Sequence, residues 1–141
     1  MLRSNAIAAA IATKFGVTAA TDVTGFGLAG HLSEMLDQSN ASATLDLASI
    51  LVLTGAADCL ARGVRSSLHA DNVAAMSSRL SIHSAQGSCI SCDDDVAAIL
   101  FDPQTSGGLL LGVDPSRSAE LVSQLKSCGD EAACVIGRVE A

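Results

Sequence analysis

A chain of 141 residues, 49% of them apolar, is long enough for one domain with a substantial core and too short for two comfortable ones. Three Phe are its only aromatic residues apart from His, so the core has to come from Ala, Val, Leu and Ile, whose small side chains imply close backbone approach. A net charge of -7 without a Lys or Arg cluster excludes extended contact with nucleic-acid phosphates, and apolar runs such as Ile50 to Leu53 fall far short of the ~20 residues that cross a bilayer.

Leu2 to Phe15 carries apolar side chains at helical intervals (Leu2, Ala6, Ala9 or Ala10, Thr13), with Gly16 as the stop. Val17 to Val23 is short and rich in β-branched residues and reads as a buried strand. It ends in the loop Thr24-Gly25-Phe26-Gly27, and a helix is expected from Gly27. Leu28, Leu32, Met35 and Leu36 form one face of that helix, with Ser33, Glu34 and Asp37 outward and Gln38-Ser39-Asn40 as its end. A strand follows at Ala43 to Leu47, then a helix capped by Thr54 that runs to Ala61 and is closed by Gly63.

Ser66 to Asn72 reads as an irregular polar loop before a further short helical piece. Ser84 to Asp95, rich in Ser, Gly, Cys and Asp, reads as a surface loop or hairpin connection. Val96 to Phe101 is apolar, Asp102 to Gly108 is a turn, and Leu109 to Val113 is strongly strand-like. Asp114-Pro115-Ser116 opens a helix whose face is Ala119, Val122 and Leu125; Gly129 ends it, and Ala133 to Val139 is a final strand. This alternation favours a mixed sheet with helices packed on it.

Chemistry concentrates in two stretches. In Ala20-Thr21-Asp22-Val23-Thr24-Gly25-Phe26-Gly27-Leu28 a strand delivers a carboxylate to a glycine turn that opens a helix. Glycines permit close approach, helix-start amides attract an anion, and an Asp oxygen can complete the shell of a Mg²⁺ already held by phosphate. The same residues also suit plain packing, with Gly for shape and Asp or Thr for capping, and no complete P-loop pattern is present. The second stretch is Phe101-Asp102-Pro103-Gln104-Thr105-Ser106-Gly107-Gly108-Leu109. Its hydroxyls and glycines fit either an anion pocket or a tight turn with local bonds.

Together these stretches resemble the signature segments of the selenophosphate synthetases (selenide, water dikinases). The resemblance extends through Met1 to Asn5, Gly63 to Asn72 and Val135 to Val139, and covers nearly the whole chain. The broader superfamily includes aminoimidazole ribonucleotide synthetase and thiamine-monophosphate kinase. The resemblance implies an α+β fold of three layers, helix, mixed sheet and helix, as the C-terminal domain of a larger enzyme. That enzyme converts selenide, ATP and water into selenophosphate, AMP and orthophosphate. It also implies that Asp22 is a Mg²⁺ ligand, with Thr24, Gly25, Phe26, Gly27, Thr105 and Ser106 as phosphate-site candidates.

By the same resemblance the partner is an N-terminal half that forms a homodimer and holds most of the ATP contacts. It carries the reactive Cys or selenocysteine and its Lys, which leaves no catalytic residue in this chain and makes the chain inactive alone. Rival readings are another ATP-dependent enzyme of the superfamily, of thiamine-phosphate or purine-pathway type, or a non-catalytic interaction domain.

Cys89-Ile90-Ser91-Cys92 has C-x-x-C spacing but no second pair, and His83 is the only nearby histidine, so a zinc site would lack a fourth ligand. Asp93-Asp94-Asp95 opposes a thiolate there. Five cysteines, an odd count in a chain without an export signal, read as reduced thiols in the cytoplasm, and Cys59, Cys128 and Cys134 as small hydrophobes. His31 reads first as a structural residue bonding a core carbonyl and second as a contact to the glycine turn. Phe26 reads as a plug between sheet and helix or as a residue facing the cleft.

Overall fold

Residues 4–140 are described by a computed structural model. In chain order its elements are α1 (Ala6–Lys14), β1 (Ala19–Asp22), α2 (Gly27–Ser39), β2 (Ser42–Leu45), a 3-10 turn at Leu47–Ser49, α3 (Ala56–Ala61) and α4 (His69–Met76). Strands β3 (Ile82–His83) and β4 (Cys89–Ile90), a 3-10 turn at Ala98–Leu100, β5 (Leu109–Gly112), α5 (Pro115–Ser127) and β6 (Gly137–Glu140) complete it. The fold is α+β, as expected. Its ladders are β1–β5, β2–β6 and β3–β4, each two-stranded and antiparallel, where a mixed sheet was expected. Their exposure explains the difference: β1 and β2 alternate between half-buried and exposed, and β6 is exposed throughout, whereas parallel pairing needs both faces covered.

The chain divides into two compact units, one comprising the residues through Asp22, Glu34–Leu51 and everything from Gly108 onward, the other Val23–Ser33 and Val52–Gly107. The first unit is organised by α1 and α5. Ile11, Leu121 and Leu125 are buried, and Phe15, Val17, Leu111 and Val113 pack against them. Gly16, at φ +71°, ends α1: its N–H donates to Thr13 O at 3.0 Å, and the N–H of Val17 reaches back to Ala12 O, also at 3.0 Å. The same pair of bonds ends α5 around Gly129.

At the start of α5 the Asp114 carboxylate accepts from the Ser116 N–H at 2.8 Å, and Pro115 occupies the first turn. Arg117 lies 4.6 Å over the Phe15 ring and donates to the Phe15 carbonyl at 2.6 Å, satisfying an acceptor left over where α1 ends. The face of α5 differs from the expected stripe: Leu121 and Leu125 are buried, Val122 is half-buried and Ala119 is exposed. Two leucines one helical turn apart remove far more apolar surface from water than a stripe through Ala119.

In the second unit Ala29, Leu60, Met76, Ile82, Ala97, Ala98 and Leu100 are buried, and Phe101 is the largest fully buried side chain. Helix α3 starts one residue later than a Thr54 cap would place it, entered through Gly55 at φ +84°, a conformation closed to a β-branched residue. The expected polar loop contains the start of α4, because His69 and Asn72 are helical and buried one turn apart; their polarity hid an inward face. In α2 the most buried residues are Gly27, Ala29, Gly30, His31 and Ser33, while Leu28, Leu32, Met35 and Leu36 are half-buried. Ser33, expected outward, lies on the side where small residues permit close contact, and only Glu34 and Asp37 stay exposed as expected.

Truncating Leu121 to Ala is expected to cost about 2–5 kcal/mol in urea unfolding, whereas Ala119→Ser on the exposed side of the same helix stays within about 0.5 kcal/mol. Equal losses for the two variants would contradict this assignment of the core face.

Candidate functional site

The loop that opens α2 is fixed by a shared acceptor. The Thr24 carbonyl accepts from the Gly27 N–H at 3.1 Å, closing the loop as a turn, and from the Gln104 N–H at 3.0 Å, tying the turn to the segment after Phe101. Gly27 has φ +69°, and a Cβ there would stand 2.8 Å from the Leu100 carbonyl oxygen and 2.9 Å from the Phe101 carbonyl carbon. A Cβ on Gly107 would overlap the Val23 carbonyl oxygen. Both glycines therefore sit where two backbones meet, and neither position has room for a side chain.

A third tie comes from α4. The side-chain amide of Asn72 donates to Gly25 O and to Phe101 O, both at 3.0 Å, and the residue is only 7% exposed. Sequence reasoning missed Asn72; the one available signal was the helical spacing of two polar residues, His69 and Asn72. The Thr24 hydroxyl lies 3.0 Å from Nε2 of buried His31, so His31 touches the glycine turn. Phe26 is 58% exposed, so it does not plug a gap; its ring centroid lies 5.4 Å from that of His31.

The structure thus brings Thr24, Gly25 and Gly27 together with the Asp102–Gly107 turn inside one compact unit. Thr105 and Ser106 are exposed on that turn, and the half-buried Asp102 accepts from Gln104 Nε2 at 2.9 Å. Asp22 belongs to the other unit, at the exposed end of β1 opposite Leu109. Its carboxylate has no hydrogen-bond or ion-pair partner among the described residues. Also among the described residues, no three His, Cys, Asp or Glu side chains are grouped to hold a metal ion, and the five cysteines are free thiols.

His69 packs edge-on against Phe101, with ring centroids 6.2 Å apart. Its Nδ1 is buried without a hydrogen-bond partner among the described residues. Burial first, and then the nearby Arg65 guanidinium, hold its pKa below the ordinary histidine value, against the opposite pull of Asp102 and Asp93. Arg65 is itself paired with Asp95.

A glycine turn at the head of a helix, locked to a second turn rich in hydroxyls, is the framework of this unit. The whole chain, residues 1–141, matches the family described as AIR synthase related protein, C-terminal domain, and the chain belongs to that family. Within it, the chain is similar to curated proteins named selenide, water dikinase. It is 42% identical over 137 residues to the protein of Shewanella sp. (strain MR-7), covering 96% of this chain and 36% of that one. It is 36% identical over 129 residues to the protein of Haemophilus influenzae (strain 86-028NP), covering 92% and 35%. To selenide, water dikinase 2 of Peptoclostridium acidaminophilum it is 32% identical over 139 residues, covering 99% and 38%. The chain spans little more than a third of the length of these relatives. No helix among the described residues is long and apolar enough to cross a membrane.

The lowered pKa of His69 means that the unfolded chain takes up its proton more readily than the folded one. The stability this gives is complete above about pH 6.5 and is lost as pH falls through the lower folded value. Urea midpoints measured from pH 7.5 to 5 are expected to decline on acidification, and His69→Gln to flatten that decline. Parallel curves for the two proteins would contradict the assignment.

Proposed function

We propose that the chain acts as the C-terminal domain of a selenide, water dikinase, the enzyme that makes selenophosphate, AMP and orthophosphate from selenide, ATP and water. Its part is to supply one Mg²⁺ ligand and a share of the phosphate site. The observation that carries this reading is the lock between the two glycine turns through the Thr24 carbonyl. Helix α2 starts at the end of that lock, and the first turn of a helix offers N–H groups without intrahelical acceptors and the positive end of its dipole. Thr24, Gly25, Phe26 and Gly27 line the phosphate side in this reading, and Thr105 and Ser106 add hydroxyl donors. The turn also carries Asp102, whose charge disfavours a bare anion and favours a polyphosphate accompanied by a cation.

Asp22 fits the metal-ligand role as an exposed hard oxygen donor without a partner among the described residues. One carboxylate, with no metal-binding group of three among the described residues, would leave the other donors to the carboxylates of the N-terminal half and to phosphate oxygens. Mg²⁺ is commonly held in that way. When bound, the ion neutralises charge on the phosphates during transfer.

ATP is then held mainly by an N-terminal half, which also brings the nucleophile, its Lys and the homodimer contact; selenide is the second substrate and the cytoplasm the compartment. In a full-length relative, replacing the aspartate aligned with Asp22 by Ala is expected to lower kcat/KM with MgATP by about a hundredfold or more while circular dichroism stays unchanged. The purified chain alone is expected to form no AMP in the presence of selenide. Unchanged kinetics in the first experiment, or selenide-dependent AMP in the second, would count against the proposal.

A further inference from the structure

We infer that Asn72 is a positioning residue for the candidate phosphate site, setting the spacing between the turn that opens α2 and the segment from Phe101 to Gly107. The inference rests on the reading of that turn as a phosphate site and adds the residue that shapes it. Asn72 Nδ2 carries two hydrogens, and its two acceptors are the carbonyls of Gly25 and Phe101, 47 and 29 residues away in the chain. Because both neighbours are acceptors, the hydrogen-bond network itself settles which way the amide points. Asp in its place would set an oxygen against two carbonyls, and Ser would offer a single donor.

Three features make the clamp stiff. Asn72 is buried, its bond to Phe101 lies fully inside and its bond to Gly25 partly so, and losing the residue leaves both carbonyls without that donor. The helix that carries it also presses His69 against the Phe101 ring, so two residues of α4 meet the same residue of the second segment. The backbones at Gly27 and Gly107 already approach as closely as an absent Cβ allows, which leaves little slack in the spacing. Asn72 contacts no ligand in this account; it acts through the Gly25 peptide, which lies inside the turn.

The test uses the full isotopically labelled chain with inorganic triphosphate and Mg²⁺ as the probe. In the wild-type chain, triphosphate is expected to shift the amide signals of Gly25, Phe26 and Gly27. Asn72→Ala is expected to speed hydrogen exchange at the Gln104 amide by about tenfold or more and to weaken triphosphate binding by about tenfold. Asn72→Ser, which keeps one donor and is run in parallel should the alanine variant not fold, is expected to show smaller changes of the same sign.

Leu125→Ala, in the core of the other unit, lowers stability and is expected to change neither readout. Wild-type exchange and affinity in the Asn72 variants, or an equal loss of affinity in Leu125→Ala, would overturn the inference while leaving the phosphate reading in place. A wild-type chain whose turn amides ignore triphosphate overturns the phosphate reading and the inference with it.

Discussion

One carbonyl oxygen, that of Thr24, accepts from both Gly27 and Gln104, and the arrangement of the unit around it follows from that sharing. A carbonyl has two lone pairs, so it can close its own turn and still receive a second segment. The second segment then lies close against the first, and at two points a side chain would obstruct it. Gly27 and Gly107 stand at those points, and Asn72 donates to one carbonyl of each segment, Gly25 and Phe101. The result is a part-buried polar network, in which the loss of a donor is costly where water cannot replace it.

The composition of the chain supports this design. A core without Trp or Tyr cannot hold elements apart with large rings, so segments pack through Ala, Gly and Ser, as the buried face of α2 does. Phe101 is the exception, a fully buried ring in the segment whose carbonyl Asn72 holds and against which His69 packs. The first unit follows the more ordinary rule, with leucines of α5 and Ile11 of α1 forming an apolar core and glycine caps ending both helices.

What could be read from the sequence was the chemistry that acts locally. Gly16, Gly129 and Asp114-Pro115 marked helix ends because caps need particular residues within a turn or so. The starts of α2 and β5 were legible for similar reasons, whereas a hairpin connection was only one of two readings of Ser84 to Asp95, and strand β4 lies inside that stretch. What was hidden depends on partners distant in the chain: the antiparallel pairing of β1 with β5, the burial of Ser33 and Leu121, and the helix concealed in the polar run around His69 and Asn72. The glycine turns were visible as candidates, but their mutual contact was not. It is made by backbone groups and by one asparagine whose acceptors lie in two other segments.

Mn²⁺ in place of Mg²⁺ probes the proposed binding of a metal-bearing polyphosphate at the turn following Asp22. With inorganic triphosphate present, substoichiometric Mn²⁺ is expected to broaden the amide signals of Asp22 to Gly27 before all others. Broadening centred on Asp93, Asp94 and Asp95 instead, with Asp22 to Gly27 left sharp, would contradict it.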